Sequence, residues 1–130
     1  MRVLIADDHE VIRKSISSIL QSRADIQICG EATNGEEAVS KTQLLKPDLL
    51  ILDEPSTGLA PKVVKDIVSV VAGLRKRGMS LILMEQNVGI AEQNSDRAYV
   101  MSLGRVVKHV EREAWSEFAR SDSMVRAYLG

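Results

Sequence analysis

Short apolar runs recur along the chain, separated by longer stretches whose apolar residues fall at helical spacing. Val3–Ala6 reads as a buried strand that ends in Asp7 and Asp8. His9 to Ser22 follows as a helix with Val11, Ile12, Ile16, Ile19 and Leu20 on one face. Ile26 to Glu31 alternates more and reads as a strand nearer a sheet edge. Asn34 to Leu45 is a second helix, capped by Asn34 with Glu37 three residues on, and Ala38, Val39, Thr42 and Leu45 face the sheet. After Pro47, Leu49 to Leu52 form an unbroken apolar run too short for a helix, the mark of a central parallel strand buried on both faces. That strand delivers Asp53 and Glu54 to the carboxyl edge of the sheet, where open α/β sheets place their chemistry.

Beyond it the pattern continues. Pro61 opens a long helix with an apolar stripe of Val63, Val64, Ile67, Val68, Val71 and Leu74, stopped by Gly78. Ser80 to Met84 is the next buried strand, ending at Glu85. Asn87 caps a short helix with Ile90 and Ala91 inward. Arg97 to Ser102 is a strand that Leu103 and Gly104 turn back into Arg105 to Val110, an antiparallel hairpin. Glu111 to Ala119 and Asp122 to Leu129 read as amphipathic helices, with Trp115, Phe118, Val125, Tyr128 and Leu129 as core.

A β-α-β-α-β order with right-handed crossovers predicts a three-layer α/β/α sandwich. The expected parallel order is 2-1-3-4-5, with a sixth strand antiparallel at the fifth-strand edge. At 130 residues and 45% hydrophobic, the chain is expected to form a single domain, 1–130, with a real core. Aromatics are only 3%, so that core is aliphatic. A net charge of −1 gives no broad attraction for nucleic acid or anionic membrane. One cysteine, Cys29, excludes an internal disulfide and fits a reducing cytoplasm. No apolar run reaches the ~20 residues of a membrane span, and the acids after the first strand are unlike a signal peptide.

The first and third strands should be neighbours, which brings Asp7, Asp8 and Asp53 to one edge. Three carboxylates do not all stay ionised at close range without a cation or raised pKa values. One reading is a hard-metal site, most simply Mg²⁺ on oxygen ligands. The other is that these acids cap helices in water, Asp8 being a good N-cap residue.

The segments VLIADDHEVIRKSISSIL, ICGEATNGEEAV and KPDLLILD resemble the receiver domain of a bacterial response regulator, over Met1 to Asp53. The resemblance implies a flavodoxin-like fold, an acidic pair at Asp7 and Asp8 that helps hold Mg²⁺, and Asp53 as phosphoryl acceptor.

From about Pro47 to Gly130 the chain resembles a different family, the ATP-binding subunit of an ABC importer of the branched-chain amino-acid type. The residues are LLILDEPSTGLAP, ILMEQNVGIAEQNSDRAYVMSLGRVV and VRAYLG. This implies that the strand is a Walker B strand of a P-loop NTPase, with Asp53 helping to hold the nucleotide's Mg²⁺ and Glu54 polarising the attacking water. Ser56, Thr57 and Gly58 correspond to the D-loop, and Gln86 to the switch position.

Neither function is complete. No G-x-x-x-x-G-K-[ST] phosphate cradle and no Ser-Gly-Gly signature occurs in these residues, so no nucleotide is expected to bind. A receiver also uses a Ser or Thr after the fourth strand and a Lys after the fifth. Here Glu85 follows the fourth, adding negative charge, and the fifth ends near Ser102-Leu103 with no Lys. No recognition helix for DNA is evident and the composition is not basic. Departures from a receiver begin after Asp53, and the missing ABC elements lie before Pro47. The reading is an artificial chimera, 1–53 receiver-like and 54–130 ABC-ATPase-like. It is expected not to be an enzyme and to keep at most weak Mg²⁺ binding at Asp7, Asp8 and Asp53. The alternatives are a divergent receiver phosphorylated on Asp53, or an ATPase fragment with residual nucleotide affinity. The lost Walker A strand leaves a gap beside the fifth strand. The gap closes by sliding that strand inward, by inserting the first strand, or by pairing with another chain, so a homodimer through exposed strand edges is one expectation.

Overall fold

In the computed structural model, which describes residues 1–55 and 61–120, six strands and five α-helices follow the predicted order. They are β1 (Arg2–Ala6), α1 (Glu10–Gln21), β2 (Gln27–Ala32), α2 (Gly35–Leu45), β3 (Leu49–Asp53), α3 (Pro61–Arg75), β4 (Ser80–Met84), α4 (Val88–Asn94), β5 (Arg97–Ser102), β6 (Arg105–Glu111) and α5 (Trp115–Arg120), the last preceded by a 3₁₀ turn at Arg112–Ala114. The second predicted C-terminal helix, Asp122 to Leu129, and the D-loop residues Ser56, Thr57 and Gly58 lie outside the described residues. The chain groups into two compact units, Met1–Glu85 and Gln86–Gly130.

The first unit is built on a parallel sheet of order β2-β1-β3-β4. β1 and β3 are its two inner strands, and β3 is buried on both faces, as an unbroken apolar run requires. Leu50 and Leu52 pack with Leu4, Ala6, Ala38 and Val71 on one side. Leu49 and Ile51 pack with Val3 and Ile5 on the other, where Ile16 and Leu20 of α1 cover them. In α2, the Asn34 side chain accepts from the Glu37 N–H, and Glu37 Oε2 accepts from the Thr33 N–H at 2.6 Å. The capping box therefore closes one residue further out than the sequence suggests. Lys46 ends α2 in the left-handed conformation, and Gly78, at φ 93°, follows α3 as the stop signal predicts.

Three expectations are corrected. On α1 the inward face is Arg13, Ile16, Ser17 and Leu20, spaced i, i+3, i+4 and i+7, while Val11 (74% exposed) and Ile19 (69% exposed) point outward and Ile12 is also exposed. Arg13 takes the inner face because the end of β1 and Glu31 of β2 offer it a backbone carbonyl and a carboxylate; Ser17 is buried beside it. β4 is not fully buried: Leu81 and Leu83 join the core on the α2 and α3 side, whereas Ile82 and Met84 stay exposed on the opposite face. Nor does β5 extend the parallel sheet at β4. Among the described residues it pairs only with β6, antiparallel, in a sheet of two strands, and β1 stays between β2 and β3. The physical reason lies in the second unit, where the inner faces of this hairpin, Ala98, Val100 and Val110, close a core of their own with Val88, Ala91, Trp115 and Phe118. Trp115 and Phe118 meet edge to face, 6.1 Å between centroids, and Lys108 lies over the Phe118 ring.

The hairpin turn is the predicted Leu103-Gly104, with φ of 49° and 74° at the two central residues. Two positive φ values match the right-handed twist of a two-residue hairpin, but Leu103 carries a branched side chain in the left-handed region and is 99% exposed. Leu103→Asn removes that mismatch without touching a packed atom. It should raise the stability of the second unit by roughly 0.5–1 kcal/mol. Trp115 is the single tryptophan and reports on that unit, so its fluorescence midpoint in urea should move upward. An unchanged or lower midpoint contradicts the strain argument.

Candidate functional site

The parallel register sets the site. Ala6 pairs with Leu52, so the next residue on each strand, Asp7 and Asp53, emerges side by side at the carboxyl edge. A cleft of about 300 Å³ opens above them, lined among others by Asp7, Asp8, His9, Thr33, Asp53 and Glu54.

Asp7 is the anchor, 5% exposed. Its Oδ1 accepts from the His9 backbone N–H at 2.6 Å and lies 3.3 Å from His9 Nδ1. Its backbone carbonyl accepts from Arg13 Nη1 at 2.9 Å, while Arg13 Nε donates to Glu31 Oε2 at 3.2 Å. Arg13 thus ties the end of β1 to α1 and β2 from below. Burial works against a charge on Asp7. The His9 N–H, a hydrogen bond from Asp53 and the His9 ring outweigh it, and Asp7 is held below the usual carboxylate range.

Asp53 behaves oppositely. Burial, then the hydrogen bond and negative charge of Asp7, then the charge of Glu54 push it up to about 6. The two carboxylates therefore share one proton at mildly acidic pH, with Asp53 holding it and Asp7 accepting. A cation would supply the same neutralisation.

Asp8 does not join them inside the cleft's acidic pair. Its side chain is 78% exposed and turned to His9, 2.7 Å from Nδ1. Nor does it cap α1: His9 is the N-cap residue and makes no side-chain cap bond. The three residues whose donor atoms lie within 4.8 Å of one another are Asp7, Asp8 and His9. Asp53 adjoins that group through Asp7. His9 and Arg13 are what sequence reasoning missed. His9 was legible as a third ligand type directly after the acid pair. Arg13 was legible as a cation interrupting the apolar positions of α1.

Glu54 stands next to Asp53 in the left-handed region, φ 41°, and its N–H donates to the Met84 carbonyl at 2.8 Å. After Asp7, it adds further negative charge at Asp53. Glu85, expected in that role, is not part of the cleft lining. Gln86 opens the second unit, between β4 and α4.

With this geometry in place, the relatives fall into two classes. Residues 3–55 match the response regulator receiver domain. VraR of Staphylococcus aureus, a response regulator protein, is 47% identical over 53 residues, 41% of this chain and 25% of VraR. BraG of Pseudomonas aeruginosa, a high-affinity branched-chain amino acid transport ATP-binding protein, is 35% identical over 130 residues, covering 95% of this chain and 54% of BraG. The signal receiver domain of the response regulator NarL from Mycobacterium tuberculosis superposes with a TM-score of 0.54 at 25% identity, over 72% of this chain and 73% of that domain. The chain spans about half the length of BraG and a quarter of VraR. It joins a receiver-like first half to a C-terminal region like that of an ABC transporter ATP-binding subunit. Among the described residues, no helix is long and apolar enough to cross a membrane.

The shared proton gives a pH dependence with a definite sign. An unfolded Asp53 ionises near 3.8 and the folded one near 6. Between those values the folded chain binds the extra proton, so its stability is greatest below the window and falls as pH rises through it. Asp7, shifted down, acts the other way and only below its own ordinary value. The ¹³Cγ titration of Asp53 should show a midpoint near 6 that drops toward the ordinary carboxylate range in Asp7→Asn. A wild-type midpoint near 4 contradicts the shared proton.

Proposed function

We propose that this chain is an artificial, cytoplasmic hybrid α/β scaffold. It joins receiver and ABC-ATPase fragments at β3, carries out no catalysis, and keeps weak divalent-cation binding at Asp7, Asp8 and Asp53. The observation that supports this reading best is the position of the join. The receiver match ends at residue 55, just past the strand that LLILDEP shares with an ATP-binding subunit. A crossover at a structurally equivalent strand keeps the sheet whole, whereas gradual divergence would scatter its departures along the chain.

The chemistry points the same way. Nucleotide hydrolysis needs backbone N–H groups and a Lys around the phosphates, and these 130 residues carry no such Gly-rich loop. Glu54, the residue that would polarise water, then has no phosphate to act on. Phosphoryl acceptance at Asp53 needs a cation to offset its neighbours. Glu54 adds to the negative charge that an incoming phosphoryl group meets. If Mg²⁺ binds, it would be held by Asp53, Asp7 and Asp8, largely through waters, and would neutralise the acidic edge. Outside that site, β4 ends the parallel sheet, and we propose that its outer edge is where two copies pair in a homodimer.

An amide-resolved NMR titration with Mg²⁺, followed by beryllofluoride as a phosphoryl mimic, tests the site. Expected are small Mg²⁺ shifts confined to residues around Asp7, Asp8 and Asp53, no further change with beryllofluoride, and no shifts with ATP. Beryllofluoride shifts that spread into β4 and β5 would instead establish a working receiver phosphorylated on Asp53. Saturable ATP shifts would establish residual nucleotide binding.

A further inference from the structure

The two edges of the parallel sheet are built differently. β2 carries Gln27 and Glu31, and its pairing with β1 slips between Ile28 and Gly30, a bulge that spoils it as a template for another strand. β4 has none of these devices. Its residues read SLILM, with no charge and no proline, and its register against β3 is unbroken. Among the described residues β3 is its one strand partner. We infer that β4 pairs antiparallel with β4 of a second copy, about a two-fold axis at Ile82, joining the two parallel sheets into one. That arrangement rests on the homodimer proposed above and adds its direction, register and axis.

The backbone sets the register. The Ser80 N–H donates to the Asp48 carbonyl, and the Met84 carbonyl accepts from the Glu54 N–H, both on the β3 side of the strand. Peptide groups alternate along a strand, so Ile82 also turns its own toward β3, while Leu81 and Leu83 turn theirs to the outer edge. In the antiparallel pair Leu81 and the partner subunit's Leu83 exchange both N–H···O bonds, and the two-fold repeats the exchange. Ile82 then meets the partner subunit's Ile82 at a non-hydrogen-bonded position, where opposed Cα atoms are about 4.5 Å apart and side chains come closest. Ile82 is 48% exposed and Met84 36% exposed, on the face away from the α2 and α3 core. Pairing covers both, Ile82 with its own copy and Met84 beside the partner subunit's Ser80.

Charge sets the direction. Arg75, Lys76 and Arg77 lead into the N-terminal end of β4. Glu54 and Glu85 stand at its C-terminal end, Glu54 tied to Met84 through the backbone. Antiparallel pairing lays each basic end beside the other copy's acidic end, twice by symmetry. Parallel pairing would set basic against basic and acid against acid. The footprint is one short strand a side, below the ~1,200 Å² of a standard interface, so the dimer forms with rising concentration rather than permanently.

Sedimentation velocity of the full chain over a concentration series reads the dimer, and amide hydrogen exchange at Leu81 and Leu83 reads the edge. Disulfide formation in a Cys29→Ser background, which removes the chain's own thiol, reads the register. Expected is a concentration-dependent dimer in which the Leu81 and Leu83 amides gain about ten-fold or more in protection. Ile82→Cys should cross-link two copies, because the opposed Cα spacing falls within the disulfide range, whereas Ser80→Cys, placed opposite Met84, should not. Ile82→Lys, at an exposed position outside both core clusters of this unit, should raise the dimer dissociation constant at least about ten-fold. Protected Leu81 and Leu83 amides, with cross-linking equal in Ser80→Cys and Ile82→Cys or absent from both, overturn the antiparallel register and leave the β4-edge homodimer standing. So does such a dimer that is indifferent to Ile82→Lys. A monomer at every concentration, or Leu81 and Leu83 amides already as protected in dilute solution, removes the homodimer and this inference together.

Discussion

The burial of β3 on both faces is the constraint on which the first unit depends. Four consecutive side chains, Leu49 to Leu52, must each find an apolar partner, two above the sheet and two below. Each contributes roughly 1.5–3 kcal/mol by leaving water, and Val3–Ala6 of the neighbouring β1 is buried in the same way. The demand is simple in chemical terms: branched apolar side chains, no helix-forming length, a break before and a polar residue after. Many α/β proteins meet it with nearly the same letters. That is why sequence from two families can meet in this strand without disturbing the layers on either side.

The same constraint creates the acidic edge. A strand so deeply held cannot shift its register, and the Ala6–Leu52 pairing leaves Asp7 and Asp53 nowhere else to emerge. Packing thus forces together two like charges that electrostatics would separate. The conflict is settled locally, by a proton that Asp53 holds up to a pH of about 6 and by hydrogen bonds that favour the charge on Asp7. Arg13 then belongs to the cost side of the same argument. A buried guanidinium is tolerated on the inner face of α1 because the Asp7 carbonyl and the Glu31 carboxylate satisfy it. The fold and the site are not independent features here; the apolar strand fixes where the charges stand.

How far the sequence could be read follows from which interactions are local. The elements, the Asn34 cap, the Gly78 stop and the Leu103-Gly104 turn are decided by a few neighbouring residues, and their positions were legible. So was the meeting of Asp7 with Asp53, because strand adjacency follows from the β-α-β order. The inward face of α1 was not, since Val11 and Ile19 look like core residues until the partners of Arg13 are known. The direction of the Asp8 side chain was equally hidden: whether it enters the cleft or turns to His9 depends on a single side-chain rotation that no periodicity records. The place of β5 failed for a third reason. Apolar alternation shows that a strand buries one face, but not against which core, and Ala98 and Val100 find theirs in Val110, Trp115 and Phe118.

That last point bears on why a shared strand need not carry a shared activity. What β3 needs from its surroundings is apolar contact, and contact is interchangeable among α/β proteins: one aliphatic helix face serves about as well as another. What Asp53 and Glu54 need is not interchangeable. A triphosphate is held by backbone N–H groups in a particular loop conformation, and a phosphoryl switch by a hydroxyl and an ammonium at the ends of particular strands. Those groups sit at other points of the chain and are specified separately from the core. A strand and its two acids can therefore be transplanted intact while the chemistry is left behind. What remains at the edge is a pair of carboxylates that share a proton at mildly acidic pH, with a histidine adjoining them.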